Sequence, residues 1–174
     1  MIDVVIGDLA SQSREGVVRA IRTDLTSVDA GARDVILAAG RTVGERLQKM
    51  GSLPVGGACI TPGGDLSVPF IIHVVTSSDE EPESALSVER ALRNGLRRAS
   101  EWGLTSLSIP AMGMGAGHLD VEGAARTQVE VLVDHLDAGH PPLELTLVVR
   151  GPYEADLYER LVGEMTRGRF PMRN

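Results

Sequence analysis

Three glycines stand at alternate positions in the segment SIPAMGMGAGHLD, residues 108–120. The segment follows a short apolar run and leads into a helical pattern that begins near Val121. Glycines let backbone N–H groups approach a ligand closely, and a helix N-terminus adds positive potential, so this turn could hold a phosphate. A tight connection whose glycines adopt positive φ explains the same spacing equally well. His118 belongs to the turn and could face a ligand.

Two familiar phosphate motifs do not fit this turn. It lacks the Lys-Ser/Thr pair of the Walker pattern. It also does not follow the first strand of the chain, which is where the dinucleotide fingerprint stands. The spacing alone therefore leaves both interpretations open.

Asp8 is a second candidate, because it follows the apolar run of residues 4–6 in the sequence Gly-Asp-Leu. Its carboxylate could accept a hydrogen bond from an amine or a ribose hydroxyl of a ligand. It could also cap the turn, and taken alone this second interpretation is favoured.

The four histidines and the single cysteine form no pattern for metal binding or nucleophilic catalysis. His73 lies within an apolar run and is predicted to be a hydrogen-bonded core residue. His135 and His140 flank a helix end and are expected to be exposed. Neither a histidine pair nor a histidine with Cys59 has metal-ligand spacing, and no Ser-His-Asp arrangement is present. We expect neither a metal site nor a cofactor.

Apolar runs bounded by turn residues alternate with amphipathic segments along the chain. The runs predict strands at 4–6, 58–61, 70–75, 106–109 and 145–149, and helical patterns lie within 28–50, 87–102, 121–136 and 155–165. Such alternation predicts a largely parallel or mixed sheet between helices. Residues 17–21 could be a strand or the end of a helix, because the run is too short for periodicity to decide.

The charged clusters are predicted to be solvated. Residues 79–81 read as an exposed acidic loop, and Trp102 is expected to pack at the end of its helix. Four arginines occupy the polar face of that helix: Arg90, Arg93, Arg97 and Arg98.

Composition predicts one domain over residues 1–166 and a frayed tail over 167–174. The chain has 174 residues and a formal net charge of -7, so it has no basic excess for nonspecific nucleic-acid binding. No apolar stretch approaches the roughly 20 residues that cross a bilayer, and no signal peptide is evident. We expect a cytoplasmic protein without membrane association.

Taken in order, these motifs resemble the macrodomain (ADP-ribose-binding, Appr-1''-p processing type) family, of which the chain looks like a divergent member. Gly-Asp-Leu at 7–9 matches the family element after the first strand. The segment LPVGGACITPGGDLSVPFIIHVV at 53–75 follows the family's middle section, and SLSIPAMGMGAGHLDVEGAA at 106–125 follows its last motif. The resemblance covers nearly the whole chain. It implies a three-layer α/β/α fold with a mixed central sheet flanked by helices.

The resemblance also implies a ligand, ADP-ribose, and the residues that hold it. Asp8 falls on the acid that bonds the adenine amine, and Arg150 or Tyr153 is nearest to the aromatic position that stacks on adenine. Residues 113–117 fall on the loop whose amides hold the diphosphate and the distal ribose. The complete implied set is Asp8, Leu9, Arg22, Met112, Gly113, Met114, Gly115, Ala116, Gly117, His118, Arg150 and Tyr153.

The chain departs from the hydrolytic members of the family at the second strand. Arg19 and Arg22 take the places of two asparagines, and the glycine-rich loop has shrunk to residues 28–32. An arginine cannot reproduce the donor and acceptor pattern of a carboxamide, although it can bind a phosphate. We therefore expect binding with little or no catalytic turnover.

Three functions remain open from the sequence. The favoured one is a module that binds ADP-ribose or an ADP-ribosylated macromolecule. The alternative is an ADP-ribosyl hydrolase or O-acetyl-ADP-ribose deacetylase, in which Asp29 or His118 would position water. The third is an interaction protein with an abandoned nucleotide site, in which Arg19 and Arg22 would fill the cleft or pair with Asp24 and Asp29.

Overall fold

A six-stranded sheet lies between two layers of helices in the computed structural model, which describes residues 1–114 and 120–167. The strands are β1 (Ile2–Ile6), β2 (Gly16–Arg22), β3 (Ala58–Pro62), β4 (Phe70–Ser77), β5 (Ser106–Pro110) and β6 (Glu144–Val149). The helices are α1 (Ala30–Ala39), α2 (Arg41–Met50), α3 (Ala85–Glu101), α4 (Val121–Asp137) and α5 (Pro152–Thr166). A 3₁₀ turn covers Leu9–Ser11.

The strand order is β1-β6-β5-β2-β4-β3. Every pairing is parallel except that of β3 with β4, which is antiparallel. The predicted three-layer α/β/α fold with a mixed sheet is confirmed. Residues 17–21, left open by the sequence, belong to strand β2, which pairs with a parallel strand on each side. Its residues are buried because helices cover both faces of the sheet.

Alternate residues of β2 face different helix layers. Val18 and Ala20 pack in the cluster formed with α3, α4 and α5. Val17 belongs to a second cluster with α1 and α2, and Ile21 to a third that includes Leu47 of α2. A strand with period two places residues in this way, and each large side chain fully buried contributes about 1.5–3 kcal/mol.

The helical pattern over residues 28–50 forms two helices. Gly40 ends α1 and precedes α2 with φ of 93°, a conformation that a helix cannot continue. Residues 30–32, which the resemblance placed in a shortened loop, form the first turn of α1. What remains of the β2–α1 connection is therefore shorter than the alignment suggested.

The solvated clusters lie where the sequence predicts them: residues 79–81 and the four arginines of α3 are exposed. Trp102 is 58% exposed and contacts Phe70 edge to face, with ring centroids 5.4 Å apart. The expectation that His135 is exposed is wrong. Its ring is half-buried, and Nε2 hydrogen-bonds the Pro142 carbonyl at 3.0 Å. His140 is exposed.

Within the two described ranges, none of the helices has the length and apolar character needed to span a bilayer.

Candidate functional site

A cleft opens at the edge of the sheet where the parallel strands end. Since β1, β2, β4, β5 and β6 run in the same direction, their carboxyl ends meet there, and ligands collect at such edges. The cleft encloses about 380 Å³. The residues that matter for its chemistry are Arg22, Asp29, Glu83, Met112, Gly113 and Arg150.

A smaller hollow of about 80 Å³ continues the cleft towards the end of β1. Gly7, Asp8 and Leu9 form its far side. Asp29 and Arg150 line both spaces, so the two adjoin. An elongated ligand could therefore extend from the tip of β1 to the ends of β2 and β4.

Asp8 is exposed at the tip of β1 and caps the 3₁₀ turn. Its Oδ1 accepts a hydrogen bond from the Ala10 amide at 3.2 Å, and its Oδ2 accepts one from the Ser11 hydroxyl at 2.9 Å. The structure therefore shows Asp8 in the turn-capping role that the sequence also allowed. An ionised carboxylate has about four lone-pair sites, so the cap leaves capacity for a ligand amine. Leu9, next to it, is buried among Val35 and Val148.

The described part of the glycine turn consists of its first residues, 112–114. Met112 is buried, Gly113 has φ of 75°, which favours glycine, and Met114 is half-buried at the cleft. The predicted site residues Gly115, Ala116, Gly117 and His118 lie outside the described residues.

Gln128 and Tyr158 hold the start of the glycine turn, and sequence reasoning missed both. The Gln128 side chain donates to the Pro110 carbonyl at 2.7 Å, and its Oε1 accepts from the Met112 amide at 3.0 Å. The Tyr158 hydroxyl donates to the same Oε1 at 2.6 Å. Burial raises the pKa of Tyr158, so this hydroxyl remains a donor. In the sequence these two residues appear only as a polar residue within the α4 pattern and an aromatic residue within the α5 pattern.

Arg19 is a core residue, not a cleft residue. Its guanidinium donates to the Ala32 carbonyl at 3.0 Å, to the Ser27 hydroxyl at 2.6 Å and to Nδ1 of His73 at 2.9 Å. Burial lowers the pKa of Arg19 to about 10, so the group stays charged at neutral pH. Filling of the cleft by Arg19, one of the two arrangements that the abandoned-site hypothesis offered, is therefore wrong.

His73 is fully buried and hydrogen-bonded, as the sequence predicts. Its Nε2 lies 2.9 Å from the Thr61 hydroxyl. Burial and, to a smaller extent, the charge of Arg19 lower the pKa of His73 to about 3.

Arg22 lies at the end of β2 and lines the cleft. It forms an ion pair with Asp79, an exposed residue of the β4–α3 connection. Asp79 thus takes the place of the expected partners Asp24 and Asp29. Asp24 instead accepts hydrogen bonds from Thr26. An ion pair with a solvated partner is weak, so an anionic ligand can compete with Asp79 for Arg22.

Two carboxylates face the cleft. Asp29 caps α1, with Oδ1 accepting from the Ala32 amide at 2.8 Å. Glu83 is half-buried, and its Oε2 accepts from the Thr76 hydroxyl at 2.7 Å. Glu83 was not among the residues singled out from the sequence, where it reads as part of a polar stretch.

Of the two candidates for stacking on adenine, Arg150 lines the cleft and Tyr153 does not. Arg150 lies between the two spaces of the cleft, where its guanidinium pairs with Glu154 at 3.2 Å. Tyr153 is 73% exposed in the first turn of α5 and lies outside the lining of both spaces. Within residues 1–114 and 120–167, no group of three His, Cys, Asp or Glu residues is arranged to hold a metal.

The family model described as Macro domain matches residues 27–128. An uncharacterized protein of Aeropyrum pernix is 33% identical to the chain over 87% of its length and 79% of the relative's length. A protein of Enterobacter cloacae named O-acetyl-ADP-ribose deacetylase is 30% identical, over 92% of this chain and 93% of the relative.

The solved structures agree on the fold. A mutant of the Oceanobacillus iheyensis macrodomain with ADP-ribose superposes with a TM-score of 0.84. The match covers 94% of this chain and 92% of that one, at 21% identity.

Proposed function

Because the chain belongs to the macro domain family, we propose that it binds ADP-ribose, free or attached to a macromolecule, in the cleft at the carboxyl edge of its sheet. One observation carries the proposal: two adjoining spaces connect an exposed carboxylate, Asp8, with the start of a glycine turn at Gly113. The relatives named as deacetylases and the neighbours solved with ADP-ribose or ADP support the choice of ligand.

The charges of the cleft suit the parts of this ligand. Asp8 would accept a hydrogen bond from the adenine amine, and the guanidinium of Arg150 would stack on the base. The diphosphate would lie against the backbone amides that begin at Gly113. Arg22 would then be the cation nearest to the distal ribose, where it can form charge-assisted bonds with a phosphate oxygen.

We further propose that turnover is slow. Arg22 stands where the resemblance puts an asparagine that orients the distal ribose. A guanidinium has no acceptor, so it cannot reproduce that contact.

The second candidate is an O-acetyl-ADP-ribose deacetylase. Asp29 favours it, because this carboxylate faces the cleft and, among the residues that the structure describes, only its Oδ1 takes part in the helix cap. The other oxygen could position a water molecule for attack. The names of the bacterial relatives point in the same direction.

Titration calorimetry with ADP-ribose tests the binding proposal. The wild-type protein should give saturable heat, and Asp8→Ala should weaken binding by roughly 10- to 100-fold, the loss of one charge-assisted hydrogen bond. Asp3→Ala is the matched control, since Asp3 is an exposed acid at the other end of β1. Equal affinities for the three proteins would reject the role of Asp8, and no heat from any of them would reject the ligand.

Incubation with O-acetyl-ADP-ribose and with ADP-ribosylated protein tests turnover. The wild-type protein should release little product. Arg22→Asn should release more if the loss of that asparagine is what limits turnover. Rapid release by the wild-type protein that is lost in Asp29→Asn would establish the deacetylase instead.

A further inference from the structure

Glu83 lines the cleft as a carboxylate with no cation beside it among the described residues. Its Oε2 accepts a hydrogen bond from the hydroxyl of Thr76, a fully buried residue of β4. Among residues 1–114 and 120–167, no Lys, Arg or His forms an ion pair with it. Glu83 lines the same cleft as Gly113, where the proposed ligand would place its phosphates.

The charged groups that line the cleft in the described part of the chain do not neutralise Glu83. Asp29, at the start of α1, adds a second negative charge. Arg22, at the end of β2, is paired with Asp79, and Arg150, after β6, is paired with Glu154. An ionised Glu83 would therefore meet an incoming phosphate as a like charge.

The surroundings of Glu83 favour the protonated carboxyl. Burial is the largest influence and raises its pKa, and the charge of Asp29 raises it further. Hydrogen bonds from the Thr76 hydroxyl and the Gly113 amide lower it in part. Gly113 lines the same cleft, so an ionised Glu83 would lie close to the amides that a phosphate would need.

We propose that Glu83 faces the ligand phosphates in its protonated form, so that the binding of an anionic ligand is coupled to proton uptake. The proposal rests on the proposed function, because it takes ADP-ribose as the ligand. A protonated carboxyl removes the repulsion and can donate a hydrogen bond to a phosphate oxygen.

The sign of the pH dependence follows from linkage. The ligand's negative charge makes the pKa of Glu83 higher in the complex than in the free protein. Between these two pKa values the complex holds more protons than the free protein. Affinity therefore falls as pH rises through this range, by at most about tenfold per pH unit, and it is constant on either side.

Calorimetry with ADP-ribose in buffers of different ionisation enthalpy measures the proton directly. Above the pH range in which an exposed glutamate titrates, the wild-type protein should take up a fraction of a proton per ligand on binding. Glu83→Gln keeps the size of the side chain and can still hydrogen-bond Thr76. It should abolish the uptake and bind ADP-ribose roughly three- to tenfold more tightly at the alkaline end.

Two variants act as controls. Glu80→Gln removes an exposed carboxylate of the same connection and should keep the wild-type uptake. Thr76→Val removes one of the hydrogen bonds that lower the pKa of Glu83, so it should move the maximum of proton uptake to higher pH. Thermal unfolding checks that each variant is folded.

The outcomes separate this proposal from the proposed function. If ADP-ribose binds to the wild-type protein without proton uptake, or if Glu83→Gln retains the uptake, Glu83 does not have this role. Loss of the uptake in Asp29→Asn but not in Glu83→Gln would assign the proton to Asp29 and overturn the proposal. Failure of ADP-ribose to bind at any pH would refute the proposed function itself.

Discussion

The Arg19 guanidinium donates a hydrogen bond to Nδ1 of His73, with the two nitrogens 2.9 Å apart in the core of the sheet. Arginine has no acceptor, so Nδ1 must be unprotonated. The proton of the neutral ring is then on Nε2, which donates to the Thr61 hydroxyl at 2.9 Å. One contact thus fixes the tautomer and the charge of a buried histidine.

His73 should remain neutral far below the pH at which histidines usually titrate. Its pKa in the folded protein is about 3, whereas the unfolded chain has the ordinary value near 6.5. The unfolded state therefore binds a proton first, and the free energy of unfolding should fall by up to about 1.4 kcal/mol per pH unit below about pH 6.

Nitrogen chemical shifts should identify the Nε2-protonated tautomer of His73 down to about pH 4, and urea unfolding at several pH values measures the slope. The variant His73→Gln can accept from Arg19 and donate to Thr61 without titrating, so its slope should be smaller. A His73 ring that protonates near pH 6 in the folded protein would contradict the assignment.

Arg19→Met should destabilise the fold by about 3 kcal/mol, because it leaves the Ala32 carbonyl, Ser27 hydroxyl and His73 ring without their donor. Urea unfolding measures the change. The control is Arg33→Met, an exposed position of α1, which should change stability by less than about 0.5 kcal/mol. Similar values for the two variants would show that the Arg19 contacts do not stabilise the core.

Tyr158→Phe should lower stability by about 1 kcal/mol, since it removes the hydrogen bond to Oε1 of Gln128. It should also weaken ADP-ribose binding, because Gln128 holds the Pro110 carbonyl and the Met112 amide at the start of the glycine turn. Thermal unfolding and calorimetry check the two effects. A loss of stability with unchanged affinity would show that this hydrogen-bond network does not support ligand binding.

Arg150→Ala should weaken ADP-ribose binding by roughly three- to thirtyfold if the guanidinium stacks on adenine. Tyr153→Ala should leave the affinity unchanged, since the ring lies outside both spaces of the cleft. Competition binding of the two variants side by side decides between the candidates that the sequence left open. The reverse result would assign the stacking position to Tyr153.

The sequence predicts the architecture well because buried strands carry a local signal. The apolar runs gave the layers and the positions of most strands, and the motifs at 7–9 and 106–125 indicated which strand ends meet. The predicted helical pattern over residues 28–50 differs from the structure because a single glycine, Gly40, divides it into α1 and α2.

The arginines of β2 show what alignment by resemblance leaves open. Both were aligned with asparagines of the family, and only Arg22 was placed in the implied ligand set. A strand has period two, so residues 19 and 22 point to opposite faces. Arg19 shares the face of Val17 and Ile21 and lies in the core, whereas Arg22 shares the face of Ala20 and lines the cleft. The alternation was visible in the sequence and could have separated the two roles.

Glu83, Gln128 and Tyr158 could not be found in this way. Their functional neighbours lie far away in the sequence: Gln128 contacts residues 110, 112 and 158, and Glu83 lines the same cleft as Gly113. The contacts of Gln128 and Tyr158 depend on the packing of α4 and α5 against the sheet, and Glu83 reaches the cleft from the β4–α3 connection. No local pattern encodes either arrangement.

Mapping of backbone amide chemical shifts during titration with ADP-ribose tests the location of the site most directly. The largest shifts should occur at Asp8, Asp29 and Gly113, around the two adjoining spaces at the carboxyl edge of the sheet. Saturable binding whose shifts lie elsewhere, for instance around His140 beyond the end of α4, or no shifts at any of these amides, would contradict a ligand in this cleft.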